Sequence, residues 1–210
     1  MNYLWFDCET GGLDHSKHSL LTAYFAVCDQ NQNIKDELYL QMKPEDETLL
    51  NVTKGAMDVN KIDLRAHLSD PETVTYSEAN RRLRTLLERN KIKGKRKHFI
   101  PCGHNVHFDK EFIWSQVMPK EQFEELVHYR TLDTSDICTF FKDVGIFPND
   151  VGSLTSLVEF LGIPMGEAHN ARGDILMNIE VYKAIKNLMK SRKTEMVGGS
   201  ANSLLRIIEE

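Results

Sequence analysis

The chain has 210 residues, of which 41% are hydrophobic and 27% are charged, and its formal net charge is −5. This length corresponds to about one domain of ordinary globular composition, and the charge excludes a protein that is basic throughout. No apolar stretch approaches the roughly 20 residues that a transmembrane helix needs, and no basic segment followed by an apolar core begins the chain. We therefore expect a cytosolic protein that does not associate with membranes.

Four cysteines, at positions 8, 28, 102 and 138, lie far apart and form no CxxC pair. Their spacing favours neither structural zinc nor a disulfide framework. A nucleophilic thiol at Cys8 is a weak alternative, because a phosphate-binding loop should follow it. The residues ETGG that follow contain glycines but no Lys or Arg to meet a phosphate.

The predicted elements begin with three strands. They are the buried run YLWF at residues 3–6, LLTAYFAVCD at 20–29 and IKDELYLQM at 34–42. The turns GGLDHSKHS and DQNQN separate them, so they predict an antiparallel meander. The stretch VTKGAMDVNKIDL, residues 52–64, predicts a helix followed by a loop. Residues 76–90 have apolar side chains at helical spacing and predict a helix with Ser77 as its cap.

The second half of the chain alternates a strand with helices. HFIPCG at residues 98–103 predicts a short strand, and helices are predicted at 107–117, 133–144, 153–162 and 171–191. This order favours an α/β domain with a mixed sheet flanked by helices. We expect one domain over residues 1–192 and a flexible tail over 193–210, whose LLRIIEE end could dock on a partner.

Four acidic residues stand at the ends of predicted elements. Asp7 and Glu9 point to the same side of the first strand, with their Cα atoms roughly 6 to 7 Å apart. Asp109 and Asp174 each open a helix at the head of an apolar stripe. Four gathered carboxylates would repel one another unless cations were bound. The set therefore predicts two divalent ions, Mg²⁺ or Mn²⁺, of the kind that supports displacement at phosphorus.

A histidine accompanies these acids. His169 precedes Asp174 by five residues and is expected on the loop that enters the helix, from which it could accept a proton from water. Taken singly, an acid at a helix start is most often a cap, and a loop histidine is most often a surface residue. The combination is what indicates a metal-assisted hydrolase.

A basic run, RRLRTLLERNKIKGKRKH, covers residues 81–98. Such a run can follow a phosphate backbone. It is equally typical of a solvated helix end and loop, and the sequence leaves both interpretations open.

Three motifs resemble those of the DEDDh 3′–5′ exonucleases, the DnaQ-like branch of the RNase H-like fold. FDCETGGL at residues 6–13 resembles their first motif, GHNVHFDKEF at 103–112 the second, and HNARGDI at 169–175 the third, with the His-x4-Asp spacing of the histidine subtype. RTLDTSDI, at 130–137, is similar to the segment between motifs two and three. The resemblance implies a sheet with a three-strand antiparallel meander plus parallel strands.

The resemblance also implies a role for each matching residue. Asp7, Glu9, Asp109 and Asp174 would hold the two metal ions, and His169 would be the general base. Contacts to the 3′-terminal nucleotide would come from the residues after the first motif and from the second motif: Thr10, Gly11, Gly12, Leu13, His104, Asn105 and Phe108. Leu13 would be a wedge against the terminal base, and Phe108 a stacking surface.

The implied activity is hydrolysis of phosphodiester bonds at a nucleic-acid 3′ end, releasing 5′-mononucleotides. Single-stranded DNA is the favoured substrate, and an RNA-trimming exoribonuclease or oligoribonuclease is the alternative. A different alternative is an inactive exonuclease-like module that binds nucleic acid or a polymerase. A bacterial or phage-like cytoplasm is the expected setting, with a replication or repair protein as a candidate partner of the tail.

This sequence departs from the family pattern at three places. Gly11 stands where the first motif usually has a second threonine, and we expect a looser turn there. The strand LLTAYFAV lacks the acidic or amide residue that often lies in it. The stretch at residues 52–64 lacks the His-Gly-Ile sequence that members of the family usually have there. The first two departures concern substrate contacts, whereas the four acids and the histidine are all present.

Overall fold

The computed structural model describes residues 2–95, 97–165 and 170–198, with side chains up to residue 190. Its centre is a six-stranded mixed sheet in the order β4-β3-β2-β1-β5-β6. The strands are β1 (Asn2–Thr10), β2 (Leu20–Cys28), β3 (Ile34–Lys43), β4 (Thr73–Thr75), β5 (Phe99–Gly103) and β6 (Leu132–Asp133). The β1–β2 and β2–β3 pairs are antiparallel, and β3–β4, β1–β5 and β5–β6 are parallel. The predicted mixed sheet is confirmed.

Helices flank this sheet on both faces. In the described part of the chain they are α1 (Lys54–Asn60), α2 (Leu64–Ser69), α3 (Tyr76–Arg89), α4 (Val106–Phe112), α5 (Lys120–Leu126), α6 (Thr134–Asp143), α7 (Leu154–Phe160) and α8 (Ala171–Gly198). A 3₁₀ turn covers Glu47–Leu49, and a π-helical turn, Ile113–Val117, continues α4. No helix in these described ranges combines the length and the apolar character needed to cross a bilayer.

Some local predictions need correction. The cap of α3 is Thr75, whose side chain accepts from the Glu78 amide, while the Ser77 hydroxyl donates to the Glu45 carboxylate. The strands β4 and β6 have three and two residues, too few for an alternating pattern to show. Helix α8 continues beyond its predicted end to Gly198. The boundary at residue 192 stays a prediction, and residues 199–210, including the LLRIIEE end, lie outside the described residues.

Strand β1 is buried on both faces, which explains its uninterrupted apolar run. Leu4 and Phe6 pack under the α3–α5 layer. Trp5 faces the other way and packs with Ile175 and Ile179 of α8. Because α8 lies across this second face, its first turn comes close to the carboxyl end of β1.

A separate apolar cluster holds α8 from outside. Phe141 of α6 and Leu157 of α7 pack against Val181 and Ile185 of α8. Helix α8 is therefore fixed between the sheet on one side and two short helices on the other. This double packing sets the position of the acid in its first turn.

Candidate functional site

Three carboxylates meet where β1 ends. Asp7 and Glu9 project from the same face of β1, opposite Tyr24 and Thr22 of β2. Asp174 lies in the first turn of α8, which crosses that face. Each residue offers a carboxylate oxygen, and these oxygens all lie within 4.8 Å of one another. The structure thus brings together three of the four acids that the sequence singled out.

The fourth acid, Asp109, approaches β1 from α4. Strand β5 pairs with β1 only as far as Trp5, so the amide of Cys8 has no partner in the sheet ladder. Asp109 Oδ1 accepts from this amide at 3.0 Å, and the residue is only 3% exposed. Asp109 therefore lies beside β1 at the level of Cys8, close enough to affect Asp7 electrostatically.

Burial and mutual repulsion perturb these acids. Burial, followed by the charges of Asp109, Glu9 and Asp174, holds the pKa of Asp7 well above its usual range. Burial and then Asp174 raise the pKa of Glu9 to about 7. Burial also raises the pKa of Asp109, despite its hydrogen bond from Cys8. Without a cation, the folded chain therefore favours protonated carboxyls at this site.

Hard divalent cations fit this donor set. Carboxylate oxygens are the ligands that Mg²⁺ and Mn²⁺ prefer, and burial together with neighbouring acids raises the pKa values of Asp7 and Glu9, a repulsion that a bound cation would relieve. The neighbouring Cys8 thiol suits neither a metal ligand nor a nucleophile. Its pKa is raised well above the usual range, first by burial and then by Asp109 and Asp7.

Helix α4 is held in place by a residue that the sequence did not single out. Asp133, at the end of β6, is 5% exposed and accepts from the amides of Asn105 (2.9 Å) and Val106 (2.8 Å). It also accepts from the amide of Ser135 at 2.9 Å. Asp133 thus ties the start of α4, which carries Asp109, to the neighbouring parallel strand. The sequence signal that could have identified Asp133 is its position in RTLDTSDI, the segment that resembles the family region between motifs two and three.

The turn from β5 into α4 is tight. A side chain at Gly103 would place its Cβ 2.9 Å from Val106 Cβ and 3.2 Å from the Phe6 carbonyl oxygen. Asn105 then adopts a left-handed conformation with φ of 65°, which Asn tolerates better than most residues. This turn lets α4 enter beside β1 immediately after β5 ends.

Two of the predicted substrate contacts, His104 and Asn105, are not among the residues that line the cavity beside Glu9. His104 Nδ1 is 3.1 Å from the Thr134 hydroxyl, and His104 Nε2 is 3.2 Å from the Gly152 carbonyl oxygen. The Thr134 hydroxyl in turn donates to Asn178 Oδ1 at 2.7 Å. Asn105 is exposed at the start of α4. Contact of His104 and Asn105 with substrate stays a prediction.

A cavity of about 560 Å³ opens beside Glu9. Thr10, Gly12, Leu13 and Phe108 line it, so four of the predicted contacts share one space with a site carboxylate. The remaining lining residues come from β1, the following turn and helix α1 with its preceding residue: Cys8, His18, Thr53, Gly55, Ala56, Val59 and Asn60. The contribution of α1 was not foreseen from the sequence.

The turn at Gly11 is held firmly on both sides, contrary to the expectation that glycine would loosen it. The Gly11 amide donates to the Ser19 carbonyl at 2.7 Å, and the Gly11 carbonyl accepts from the Thr53 amide at 2.6 Å. A Cβ at this position would lie 2.4 Å from the Asn51 carbonyl oxygen and 2.9 Å from Val52. Glycine is required here because another backbone segment occupies the space of a side chain.

The remaining sequence candidates lie elsewhere. His169 falls outside the described residues, so its role stays a prediction. The end of the basic run lies at the opposite end of the sheet, since the Asn2 amide at the start of β1 donates to the His98 carbonyl. Seven residue rises along the strand, roughly 23 Å, separate Asn2 from Glu9. Arg82, Arg89 and Lys91 are each paired with an acid: Glu78, Asp36 and Glu88, respectively.

Comparison with known proteins identifies a family. The sequence model of the RNase_T family, described as an exonuclease family, matches residues 4–182. A probable oligoribonuclease of Schizosaccharomyces pombe is 28% identical over 166 residues, covering 76% of this chain and 64% of that protein. An oligoribonuclease of Paracidovorax citrulli is 29% identical over 142 residues, covering 65% and 68%. This chain thus spans slightly less than two thirds of the fission yeast protein.

Solved structures of exonuclease I share the fold. The E. coli enzyme in complex with a dA16 oligonucleotide superposes with a TM-score of 0.70 at 20% identity, covering 89% of this chain and 41% of that one. Exonuclease I from Methylocaldum szegediense gives a TM-score of 0.68 at 19% identity, covering 89% and 40%. This chain spans about two fifths of their length.

Removing the Asp133 carboxylate should destabilise the protein. In Asp133→Ala, the amides of Asn105, Val106 and Ser135 lose their acceptor, and we expect the free energy of unfolding to fall by about 2 to 4 kcal/mol. Asp133→Asn keeps one acceptor oxygen and should lose less. Asp136→Ala, which removes an exposed acid of α6, is the matched control and should change stability by less than about 0.5 kcal/mol. Equal urea-unfolding curves for the two alanine variants would contradict this assignment.

The metal-free protein should lose stability as pH rises. The pKa of Glu9 is about 7 in the folded protein and near 4.5 when unperturbed, so the folded state binds the proton more tightly. The stability that this tighter proton binding contributes is fully present below about pH 4.5 and is lost as the pH rises through 7. In EDTA, the free energy of unfolding of wild type should therefore fall by roughly 1 to 3 kcal/mol relative to that of Glu9→Gln as the pH rises from about 4.5 to above 7.

Urea unfolding at a series of pH values measures this difference. Glu72→Gln, which removes an exposed acid just before β4, serves as the control and should follow wild type. Adding Mg²⁺ should reduce the loss, because a bound cation favours the ionised form. Parallel pH profiles for wild type and Glu9→Gln would show that Glu9 does not carry this dependence.

Proposed function

Because the chain belongs to the RNase_T exonuclease family, whose sequence model spans residues 4–182, we propose that it is a metal-dependent 3′–5′ exonuclease. It hydrolyses the phosphodiester bond at the 3′ end of a single strand and releases 5′-mononucleotides. The observation that carries the proposal is the convergence of Asp7, Glu9 and Asp174, with carboxylate oxygens within 4.8 Å of one another. Asp109 accepts a hydrogen bond from the amide of Cys8, the residue between Asp7 and Glu9.

These four acids would hold two divalent cations, Mg²⁺ or Mn²⁺. When bound, such cations lower the pKa of the attacking water and offset the negative charge that develops on the phosphate. The protein contributes a rigid arrangement of ligands: Asp7 and Glu9 are fixed by a strand buried on both faces, and Asp174 by a helix packed on both sides.

The remaining groups handle the water and the terminal nucleotide. His169, which precedes α8 in the sequence, is assigned as the base that accepts the proton of the attacking water. The cavity beside Glu9 is assigned to the terminal nucleoside. Leu13 is 86% exposed at its rim and is placed as a wedge against the base, while Phe108 offers a ring for stacking. Thr10 and Gly12 form the wall nearest the carboxylates.

Two substrate classes are retained. Single-stranded DNA is the expectation from motif resemblance. Short RNA is supported independently, since the relatives from Schizosaccharomyces pombe and Paracidovorax citrulli are named oligoribonucleases. The likeness to exonuclease I concerns the fold, so the DNA oligonucleotides in those structures do not decide between the two. A ribose 2′-hydroxyl is the chemical difference that the assay must isolate.

A binding module without activity is the alternative of a different class. It predicts that nucleic acid binds but is not cut, although the four acids are present and three of them converge. A replication or repair partner on the tail, and the domain boundary at residue 192, stay predictions of the sequence. Both concern the carboxyl-terminal segment rather than the carboxylate site.

An assay on 5′-labelled oligonucleotides tests the activity. Wild type should shorten a single strand from its 3′ end in Mg²⁺ or Mn²⁺, and EDTA should stop the reaction. Asp7→Ala should abolish it as well, because Asp7 lies at the centre of the carboxylates. Asp58→Ala, an exposed acid of α1 outside the cavity lining, is the control and should remain active. Cleavage that survives EDTA or Asp7→Ala would refute the proposal.

The same assay distinguishes the substrates and the alternative. Matched single strands of DNA and RNA, together with duplex DNA, give the order of preference from initial rates. Binding without any shortening, in the presence of either metal, would favour the inactive module.

His169→Ala tests the assigned base separately from the metal ligands. We expect a loss of roughly 10²- to 10⁴-fold in turnover, the usual contribution of a general base. Metal binding, measured as the rise in the thermal midpoint on adding Mn²⁺, should be retained because His169 is not assigned as a ligand. Wild-type turnover in this variant would remove His169 from the mechanism.

A further inference from the structure

Helix α1 forms one wall of the cavity beside Glu9, and it is fastened to the end of β1 at both of its ends. Before its first turn, the Thr53 amide donates to the Gly11 carbonyl at 2.6 Å. At its last residue, Asn60 Nδ2 donates to the Thr10 carbonyl at 3.2 Å. The wall therefore has a fixed distance from the strand that carries the carboxylates.

The rim of this cavity is apolar on both sides. Leu13 is 86% exposed on the turn after β1, and Val59 is 58% exposed on α1. Among the described residues that line it, Glu9, His18 and the buried Cys8 are titratable, and the others are uncharged. A flat, uncharged aromatic group such as a nucleobase fits between two apolar rims, with its phosphate toward the carboxylates.

Gly55 lies in the first turn of α1 and lines this cavity. A Cβ built on Gly55 would have no heavy atom within 4 Å, and its backbone is not in the left-handed region. This contrasts with Gly11, where a Cβ would collide with the Asn51 carbonyl. Neither packing nor conformation requires glycine at position 55, and glycine weakens a helix relative to alanine. What Gly55 provides is open space in the cavity wall.

We propose that Gly55 determines which terminal base the site accepts, by leaving room on α1 for a purine ring. This inference rests on the proposed exonuclease function and adds a specificity-determining residue to it. Gly55 lines the cavity, and two hydrogen bonds tie α1 to Thr10 and Gly11, so added bulk at position 55 would reduce the room at this wall.

Two variants separate a role in binding from a role in folding. Gly55→Ala and Gly55→Leu should both fold, since the position is open, and Gly55→Ala should raise the thermal midpoint by about 1 to 4 °C through helix propensity. A residue of purely structural importance would lower stability and activity together. Here stability is expected to rise while turnover on purine-ended strands falls.

The kinetic measurement uses three oligonucleotides that differ only at the 3′-terminal position, which carries a purine, a pyrimidine or an abasic site. For Gly55→Leu, kcat/KM on the purine-ended strand should fall roughly 5- to 100-fold, the range produced by losing one stacked base. The fall should be smaller for the pyrimidine and absent for the abasic strand. Asp58→Leu adds the same bulk on α1 outside the cavity lining and should leave all three values unchanged.

Two results would overturn the inference: equal kcat/KM losses of Gly55→Leu on all three strands, or wild-type values on all of them. Absence of any cleavage by wild type would instead refute the proposed function. In that case binding of a labelled purine mononucleotide decides about Gly55. Weaker binding by Gly55→Leu than by Asp58→Leu would support the assignment, and equal binding would reject it.

Discussion

Repulsion between like charges is the constraint on which this structure depends. Asp7, Glu9 and Asp174 have carboxylate oxygens within 4.8 Å of one another, and Asp109 is a fourth acid close enough to raise the pKa of Asp7. Flexible segments would relieve that repulsion by moving apart. The fold instead presents the acids on a strand buried on both faces and on a helix packed between the sheet and two other helices. Rigidity at this point would hold the ligands of the proposed cation site in place in advance of binding.

The parallel edge of β1 adds a second requirement. Strand β5 stops short of Cys8, and the space beyond it is filled by the first turn of α4. Asp109 then satisfies the Cys8 amide that the sheet leaves unpaired, so one side chain both completes the backbone hydrogen bonding and adds charge to the site. Asp133 holds the start of α4 from the next strand. The positions of Asp7 and Asp109 are thus linked through backbone groups.

The sequence predicted those parts of the molecule that depend on local pattern. The apolar run YLWF ending in two acids indicated a central strand with paired ligands, and Asp109 and Asp174 were placed correctly at helix starts. Asp133 was missed because its partners, Asn105 and Val106, lie 28 and 27 residues away and no periodicity relates them. The role of α1 in the cavity was missed for the same reason, since Thr53 and Gly11, which are hydrogen-bonded, lie far apart in the sequence. Tertiary hydrogen bonds have no signature in local composition.

Gly11 and Gly55 show how one residue type can act in opposite ways at one cavity. At Gly11 the Asn51–Val52 segment occupies the space of a side chain, and two backbone hydrogen bonds hold the turn that the sequence suggested would be looser. That contact brings α1 against the end of β1 and makes it a wall. At Gly55, which lines the cavity, no heavy atom of the described residues lies within 4 Å of the position that a Cβ would occupy. Because the contacts at Gly11 hold helix α1 in place, the absence of a side chain at Gly55 determines how much room the cavity has along this helix.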